Sequence, residues 1–175
     1  ECPEILNPEG NTIVNANKAI RTAALDWIAA NEARLSRFNE GIWAHAEPAW
    51  REYKSCRDYV ELLRAEGFTV EEGSGGMPTA FVAVWGEGAP VLASFSEYDA
   101  VPGNSQQVVP YQAPRAGLHP YTAGHTDPHS VLGTAALAAM LGATPTGSPL
   151  SVLPLTSKKL LMLMPARSTP FGASC

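Results

Sequence analysis

The 175-residue chain has few cysteines, and the three present, Cys2, Cys56 and Cys175, are far apart. An odd, widely spaced set without a Cys-x-x-Cys pair argues against a disulfide framework and indicates free thiols in a reducing compartment. The chain also lacks any apolar run long enough to span a membrane. These absences predict a globular protein of the cytoplasm, without a membrane partner.

Acidic residues are absent from the last part of the chain. All 17 Asp and Glu residues lie at or before Asp127, and residues 128–175 carry only the cations Lys158, Lys159 and Arg167. This asymmetry indicates a break in composition. The net charge of −5 argues against nucleic acid and against an anionic membrane surface as partners.

Several common fingerprints of enzymes are missing as well. The sequence has no Gly-x-Ser-x-Gly nucleophile elbow, no P-loop and no dinucleotide-binding glycine motif. Ser130 follows His129 directly, but no elbow surrounds it, so a serine-hydrolase interpretation is not supported. The candidate catalytic and metal-binding residues are therefore the acidic and histidine side chains.

Hydrophobic periodicity predicts two helices in the first third of the chain. Residues 17–46 repeat apolar side chains at helical spacing, and Glu47-Pro48 interrupts the pattern because proline breaks or kinks a helix. A second helix is predicted at about 51–65. It ends at Gly67, a residue type that favours helix C-termini.

Three strands are predicted where the period of the apolar residues changes to two. They are "GFTVEEG", "TAFVAVWG" (79–86) and "PVLASFSEYDA" (90–100). The nearly continuous apolar start of the third predicts a strand that is buried on both faces. The "GEGAP" segment before it is typical of a hairpin turn.

A loop (102–124), a third helix (128–142), a linker (143–157) and a last strand (158–164) complete the predicted elements. This order predicts an α/β fold with a mixed sheet packed between helices. We expect residues 1–142 to form one unit. Residues 143–175 are expected to supply the linker, one strand and a divergent tail.

Two groups of polar side chains stand at the predicted ends of elements. Glu97 and Asp99 lie two residues apart at the carboxyl end of the third strand, so they share a face if the strand continues that far. His125, Asp127 and His129 alternate just before the third helix. Ligands of open α/β sheets bind beyond the carboxyl ends of strands, so the two groups can converge there.

Both groups allow a functional and a structural interpretation. Carboxylate oxygens and imidazole nitrogens are ligands that Zn²⁺ and Mn²⁺ accept, and a carboxylate can bridge two ions in a two-metal hydrolase. Asp127-Pro128, however, is also an ordinary pair at a helix start. The side chains of Glu97 and Asp99 can equally lie in solvent at the end of a strand. The pattern alone leaves these alternatives open.

Three segments together resemble one family, the M20 metallopeptidases and amidohydrolases, especially the aminobenzoyl-glutamate hydrolase and aminoacylase-like branch. "HAEPAWREYKS" (45–55) is similar to that family's N-terminal helix break, and "EYDAVPG" to its Glu-Tyr-Asp-Ala-Leu-Pro-Gly motif. "TDPHSVLGTAALAAM" resembles its Cys-Gly-His-Asn-Leu-Leu-Gly helix. The resemblance covers roughly residues 40–142 and implies the N-terminal part of an M20-like catalytic domain, without the family's lid domain.

The resemblance also implies roles for individual residues. Asp127 falls at the position of a bridging metal ligand, and His129 at that of a histidine ligand. Asp99 matches the acid that orients the metal ligands and is the expected catalytic residue. Glu97 and His125 are further candidates for metal ligation. The implied cofactor is Zn²⁺ or Mn²⁺ in the family's two-metal site, which we expect to be incomplete in this chain.

The function implied by the resemblance is metal-dependent hydrolysis of an amide bond. The substrate partner is a small N-acyl or aminobenzoyl amino acid or a dipeptide-like molecule, and full-length members allow a homodimer. An alternative follows from the tail, where the family has a Glu-Glu pair after Pro-Ala and this chain has Arg167 and Ser168. On that alternative, the chain is a non-catalytic truncated homologue without the general base and the later metal ligands.

Overall fold

The structure, a computed structural model, describes residues 13–88, 91–142 and 159–164. Its elements are α1 (Ile13–His45), α2 (Tyr53–Ala65), β1 (Thr69–Glu72), β2 (Phe81–Trp85), β3 (Val91–Phe95), α3 (His129–Gly142) and β4 (Lys159–Met164). The predicted linker before β4 and the predicted tail after it lie outside the described residues. None of the described helices combines the length and the apolar character needed to cross a membrane.

The four strands form a mixed sheet in the order β1-β2-β4-β3. Both β1 and β4 run antiparallel to β2, whereas β3 and β4 are parallel. Helix α3 lies between β3 and β4 in the chain and packs on both, so these elements form a βαβ unit. The predicted α/β class with a mixed sheet is confirmed.

Two predictions about β3 are wrong. The "GEGAP" segment does not close a hairpin, because β4 pairs with both β2 and β3 and separates them. Nor is β3 buried on both faces, since Val91 and Phe95 are 54% and 55% exposed. Val91, Ala93 and Phe95 share one face of the strand. All three are exposed, so no described element covers that face.

The predicted helix break at Glu47-Pro48 is confirmed, because α1 ends at His45. The Glu47 side chain then caps the start of α2. Its carboxylate accepts hydrogen bonds from the backbone N–H groups of Lys54 and Ser55 at 3.0 and 2.9 Å. The contact satisfies two donors that a helix start leaves free, and it places negative charge at the positive end of the helix dipole.

Helix α2 is followed at Gly67 by the turn that the sequence predicts. Gly67 has a φ of 86°, which glycine adopts without steric cost, and its N–H donates to the Arg64 carbonyl at 3.0 Å. The N–H of Phe68 donates to the Leu63 carbonyl, also at 3.0 Å. This is a Schellman C-cap, and the buried pair Leu63 and Phe68 directs the chain from α2 into β1.

One hydrophobic cluster joins the three helices to the sheet. Tyr59 of α2 packs against Phe38 of α1, Phe81 of β2 and Tyr98, with ring centroids 4.8, 6.1 and 5.4 Å away. Leu137 of α3 is fully buried in the same cluster. The covered face of the sheet is thus continuous with the segment that follows β3, where Tyr98 lies.

Candidate metal centre

The segment 96–101 carries two of the predicted acids beyond the end of β3. Between them lies Tyr98, which is 1% exposed and donates a hydrogen bond from its hydroxyl to the Thr79 carbonyl oxygen. The neighbouring carboxylates of Glu97 and Asp99 keep 15% and 18% side-chain exposure. The core therefore holds the middle residue of the segment and leaves the two acids near the surface.

A buried chain of hydrogen bonds continues behind Tyr98. The Thr79 hydroxyl donates to the Glu52 carboxyl group, and both residues are almost completely buried. Burial raises the pKa of Glu52 above its usual value, against the opposing effect of the Thr79 hydrogen bond. Burial also raises the pKa of Tyr98, which keeps its hydroxyl protonated as a donor.

Asp127 and His129 are placed by the start of α3. Asp127 Oδ1 accepts a hydrogen bond from the His129 backbone N–H at 3.3 Å, which is the contact of an N-cap residue. Pro128 lies between them, and its carbonyl accepts the Leu132 N–H at 2.8 Å. Asp127 therefore caps the start of α3, the structural role that the sequence allows for it. The second carboxylate oxygen of Asp127, Oδ2, lies 3.6 Å from His129 Nδ1.

The structure brings the acids after β3 together with the histidine at the start of α3. His129 Nε2 lies 2.9 Å from Glu97 Oε2, and His129 Nδ1 lies 2.8 Å from Asp99 Oδ1. One potential ligand atom from each of these three residues lies within 4.8 Å of the others. Asp99 and Asp127 face the same ring nitrogen, so all four side chains meet at one place.

This cluster concentrates negative charge around one imidazole. Burial by itself lowers the pKa of His129, but the carboxylates of Asp127, Asp99 and Glu97 outweigh it and raise the pKa above its usual value. Across the described ranges, no lysine or arginine forms an ion pair with these three carboxylates. A positive charge on His129, or a bound cation, is what balances them.

His125 lies beside the cluster and not within it. Its ring is half-buried, and burial lowers its pKa, which favours the neutral imidazole. The Ile42 backbone opposes that shift, but neither ring nitrogen has a hydrogen bond of normal geometry with a described residue. The ring lines a neighbouring cleft.

Sequence reasoning missed the residues that position the cluster. A Cβ atom at Gly133 of α3 would lie 2.4 Å from Tyr59 Oη and 3.1 Å from the Glu97 carbonyl oxygen, so a glycine allows this close approach. The small-residue composition of α3 was the available signal. The contact of Thr79 with Tyr98 had no comparable signal, since it joins residues 19 positions apart.

These features define a class of protein: a partial α/β domain with acidic and imidazole side chains that meet beyond the end of a strand of its sheet. A dinuclear metal binding peptidase of the M20 family from Bacillus subtilis matches 78% of this chain and 35% of its own, with a TM-score of 0.52 and 17% identity. A protein described as an aminohydrolase, from methicillin resistant Staphylococcus aureus, matches 88% of this chain and 36% of its own, with a TM-score of 0.56 and 16% identity. At these identities the likeness shows the fold.

The sequence comparison narrows the class. No family model matches the chain. Over 116 residues, or 66% of its length, the chain is 39% identical to one of the subunits of p-aminobenzoyl-glutamate hydrolase from Escherichia coli (strain K12). The predicted resemblance to the M20 family, in its aminobenzoyl-glutamate hydrolase-like branch, is confirmed. The match spans 24% of that relative's length, so it concerns a part of such a protein.

Proposed function

We propose that the chain supplies part of the catalytic domain of a metal-dependent amidohydrolase of the M20 type. The proposed reaction is hydrolysis of the amide bond of an N-acyl or aminobenzoyl amino acid, or of a dipeptide-like substrate. The observation that carries the proposal is the meeting of Glu97, Asp99 and His129 at one point. The similarity to the p-aminobenzoyl-glutamate hydrolase of Escherichia coli supports it.

The donor set fits a divalent metal ion. It combines carboxylate oxygens with an imidazole nitrogen, which Zn²⁺ and Mn²⁺ both accept. One potential ligand atom from each of Glu97, Asp99 and His129 lies within 4.8 Å of the other two, which is close to the distance across a single coordination sphere with bonds of about 2.0–2.2 Å. The uncompensated charge of the three carboxylates favours a dication further. We propose Asp127 and His129 as metal ligands, with Glu97 as an additional one.

Asp99 has a distinct role in this proposal. Its contact of 2.8 Å with His129 Nδ1 fixes the ring, as carboxylates behind metal-binding histidines commonly do. Asp127 combines the cap of α3 with the proposed bridging position. A metal pair bound here would supply Lewis acidity toward the amide carbonyl and toward a water molecule. The chain's own contribution is to hold these acids and this ring in place beforehand.

Metal binding by matched histidine variants tests the proposal. We expect Zn²⁺ or Mn²⁺, titrated by calorimetry, to bind the wild-type chain and to lose at least about tenfold in affinity in His129→Ala, because a ligand is removed. His119→Ala is the control, since His119 lies exposed in the loop before the cluster. Equal affinities of the two variants would refute a metal site at His129.

The alternative, a non-catalytic homologue, is favoured by one observation in the sequence. Arg167 and Ser168 stand where the family resemblance leads us to expect two acids, and they lie outside the described residues. An assay with p-aminobenzoyl-glutamate and added Zn²⁺ or Mn²⁺ separates the two proposals. Metal-dependent release of p-aminobenzoate that is lost in His129→Ala supports the hydrolase, whereas metal binding without release supports the non-catalytic homologue.

We also propose a cytoplasmic location and a homodimeric assembly for the protein to which this part belongs. Cys56 is free and buried, which fits a reducing compartment. The assembly rests on the family resemblance. Sedimentation of the protein at several concentrations tests it, and a monomer at every concentration would contradict it.

A further inference from the structure

The sheet has two outer strands, β1 and β3, and charged side chains protect the edge of β1. The Arg64 guanidinium donates to the Val70 carbonyl of β1 at 3.3 Å and lies 2.8 Å from the Glu72 carboxylate. Glu71 adds a second acid to this strand of four residues. Charges on an outer strand discourage pairing with another chain. β1 is therefore a poor partner for a further strand.

Strand β3 carries none of these protections. Its sequence, VLASF, contains no charged residue and no proline. Within the described ranges β4 is its one strand neighbour, so its other side presents unpaired backbone N–H and C=O groups. The backbone of another strand matches such a row of donors and acceptors. The contrast with β1 indicates that a further strand pairs with the sheet at β3.

Apolar side chains surround this free edge. Val91, Ala93 and Phe95 are exposed on one face of β3. A groove of about 380 Å³ lies between β3 and α3, and Phe95 lines it together with Leu132, which is 50% exposed. The sequence of α3 after His129 has no charged residue. The edge and its surroundings therefore form one apolar surface that a protein partner can cover.

Little charge opposes the approach of a second copy to this surface. Glu97 is the one charged residue in the lining of the groove, and its carboxylate lies 2.9 Å from His129 Nε2. The other lining side chains are those of Ser, Ala, Leu and Phe. Because the chain has a net charge of −5, two copies repel each other least where their surfaces are almost free of charge.

The residue pattern of β3 is complementary to itself. A twofold axis at Ala93 relates two antiparallel copies of the strand and sets Val91 of one chain opposite Phe95 of the partner subunit. Pairs of a β-branched and an aromatic side chain are favourable across strands. The small Ala93 meets its own copy at the axis without crowding. A second copy of β3 thus matches both the backbone and the exposed side chains.

We infer that the 175-residue chain forms a twofold dimer by antiparallel pairing of its β3 strands, which joins the two sheets into one. The inference goes beyond the proposed function and does not depend on it. A strand of five residues and a narrow groove bury less than the standard interface of about 800 Å² per partner, so we expect a dissociation constant on the order of tens of micromolar. Below that range the chain is a monomer with β3 exposed.

Sedimentation velocity and hydrogen exchange of the full chain test the dimer, with EDTA present so that no metal contributes. We expect a monomer at about 1 μM and a dimer at about 200 μM, with no larger species, because the pairing uses up the free edge. The backbone amides of residues 91–95 should exchange more slowly at the higher concentration. Those of residues 69–72 on β1 should exchange equally at both.

A matched pair of lysine variants locates the interface. Ala93→Lys places two ammonium groups against each other at the twofold axis, so we expect dimerisation to weaken at least about tenfold. Thr69→Lys adds the same charge to an exposed position of β1 and should leave the dissociation constant within about twofold of the wild type. Circular dichroism spectra identical to that of the wild type show that both variants are folded.

A monomer at every concentration overturns the inference. If the amides of β3 are nevertheless protected in that monomer, residues outside the described ranges pair with β3 instead. A dimer in which these amides exchange as fast as in the monomer uses another surface and also overturns it, as does equal weakening in Ala93→Lys and Thr69→Lys. None of these outcomes affects the hydrolase proposal, because the measurements involve neither metal nor substrate.

Discussion

The two strands that flank β4 are covered very differently. On β2, Phe81 and Ala83 are 1% and 0% exposed beneath the helices, whereas on β3, Val91 and Phe95 are 54% and 55% exposed. The candidate metal centre follows the exposed strand. Its support comes from the covered side, because Tyr98 reaches across to Thr79, just before β2.

A matched pair of phenylalanine truncations tests this contrast most strongly. We expect Phe81→Ala to lower the free energy of unfolding by about 3–5 kcal/mol, because it leaves a cavity in the core. Phe95→Ala removes the same ring from an exposed position and should change the free energy of unfolding by no more than about 0.5 kcal/mol. Urea unfolding measures both. Similar losses would mean that β3 is covered after all.

Two glycine substitutions test how closely α3 is packed against the ligand segment. We expect Gly133→Ala to destabilise the chain by about 1–3 kcal/mol, because the added methyl group overlaps Tyr59 and approaches the Glu97 carbonyl. In Gly41→Ala the methyl group meets nothing within 4 Å, so higher helix propensity should stabilise α1 by up to about 1 kcal/mol. Thermal melts of the two variants should shift in opposite directions, and a stabilised Gly133→Ala contradicts the close packing.

The hydrogen bond behind Tyr98 can be removed without changing side-chain shape. We expect Thr79→Val to cost about 1–3 kcal/mol, because Glu52 loses its donor in a buried place. Thr69→Val, at the exposed start of β1, is the control and should stay within about 0.5 kcal/mol. Chemical unfolding, monitored by circular dichroism, distinguishes the two variants. Equal stabilities would show that the buried chain of hydrogen bonds contributes nothing.

The smallest effect that we expect is a pH dependence of the stability, due to Glu52. An acid whose pKa is raised on folding contributes stability below its unfolded pKa, near 4.5, and loses it as the pH rises through the folded value. We therefore expect Glu52→Gln to gain stability over the wild type as the pH rises from acid to neutral. Glu61→Gln, with a side chain that is 71% exposed, should show no such trend. Parallel curves for Glu52→Gln and the wild type would be the contrary result.

Local signals in the sequence predicted the helices well. Pro48 and Gly67 act on their own neighbours, so the end of α1 and the turn after α2 lie where the residue types place them. The position of β4 between β2 and β3 could not be predicted in this way. It depends on which strands pair after α3 crosses the sheet, and the turn chemistry of "GEGAP" contains no information about that pairing.

The site shows the same division between local and distant causes. Asp99 and His129 were candidates because their residue types stand at a strand end and at a helix start, and the structure places them 2.8 Å apart. The alternation of Glu97, Tyr98 and Asp99 carried a further hint, an aromatic residue between two acids. Its buried partners, Thr79 and Glu52, could be found only in three dimensions.

The hydrogen bond from Tyr98 to Thr79 has a practical consequence for protein engineering. Because the acceptor is a backbone carbonyl, a substitution of the Thr79 side chain leaves it in place, whereas Tyr98 supplies the donor. Tyr98 is therefore the buried position whose side chain ties the segment of Glu97 and Asp99 to the core. A library that varies Tyr98 together with the two acids changes how they are held as well as their chemistry.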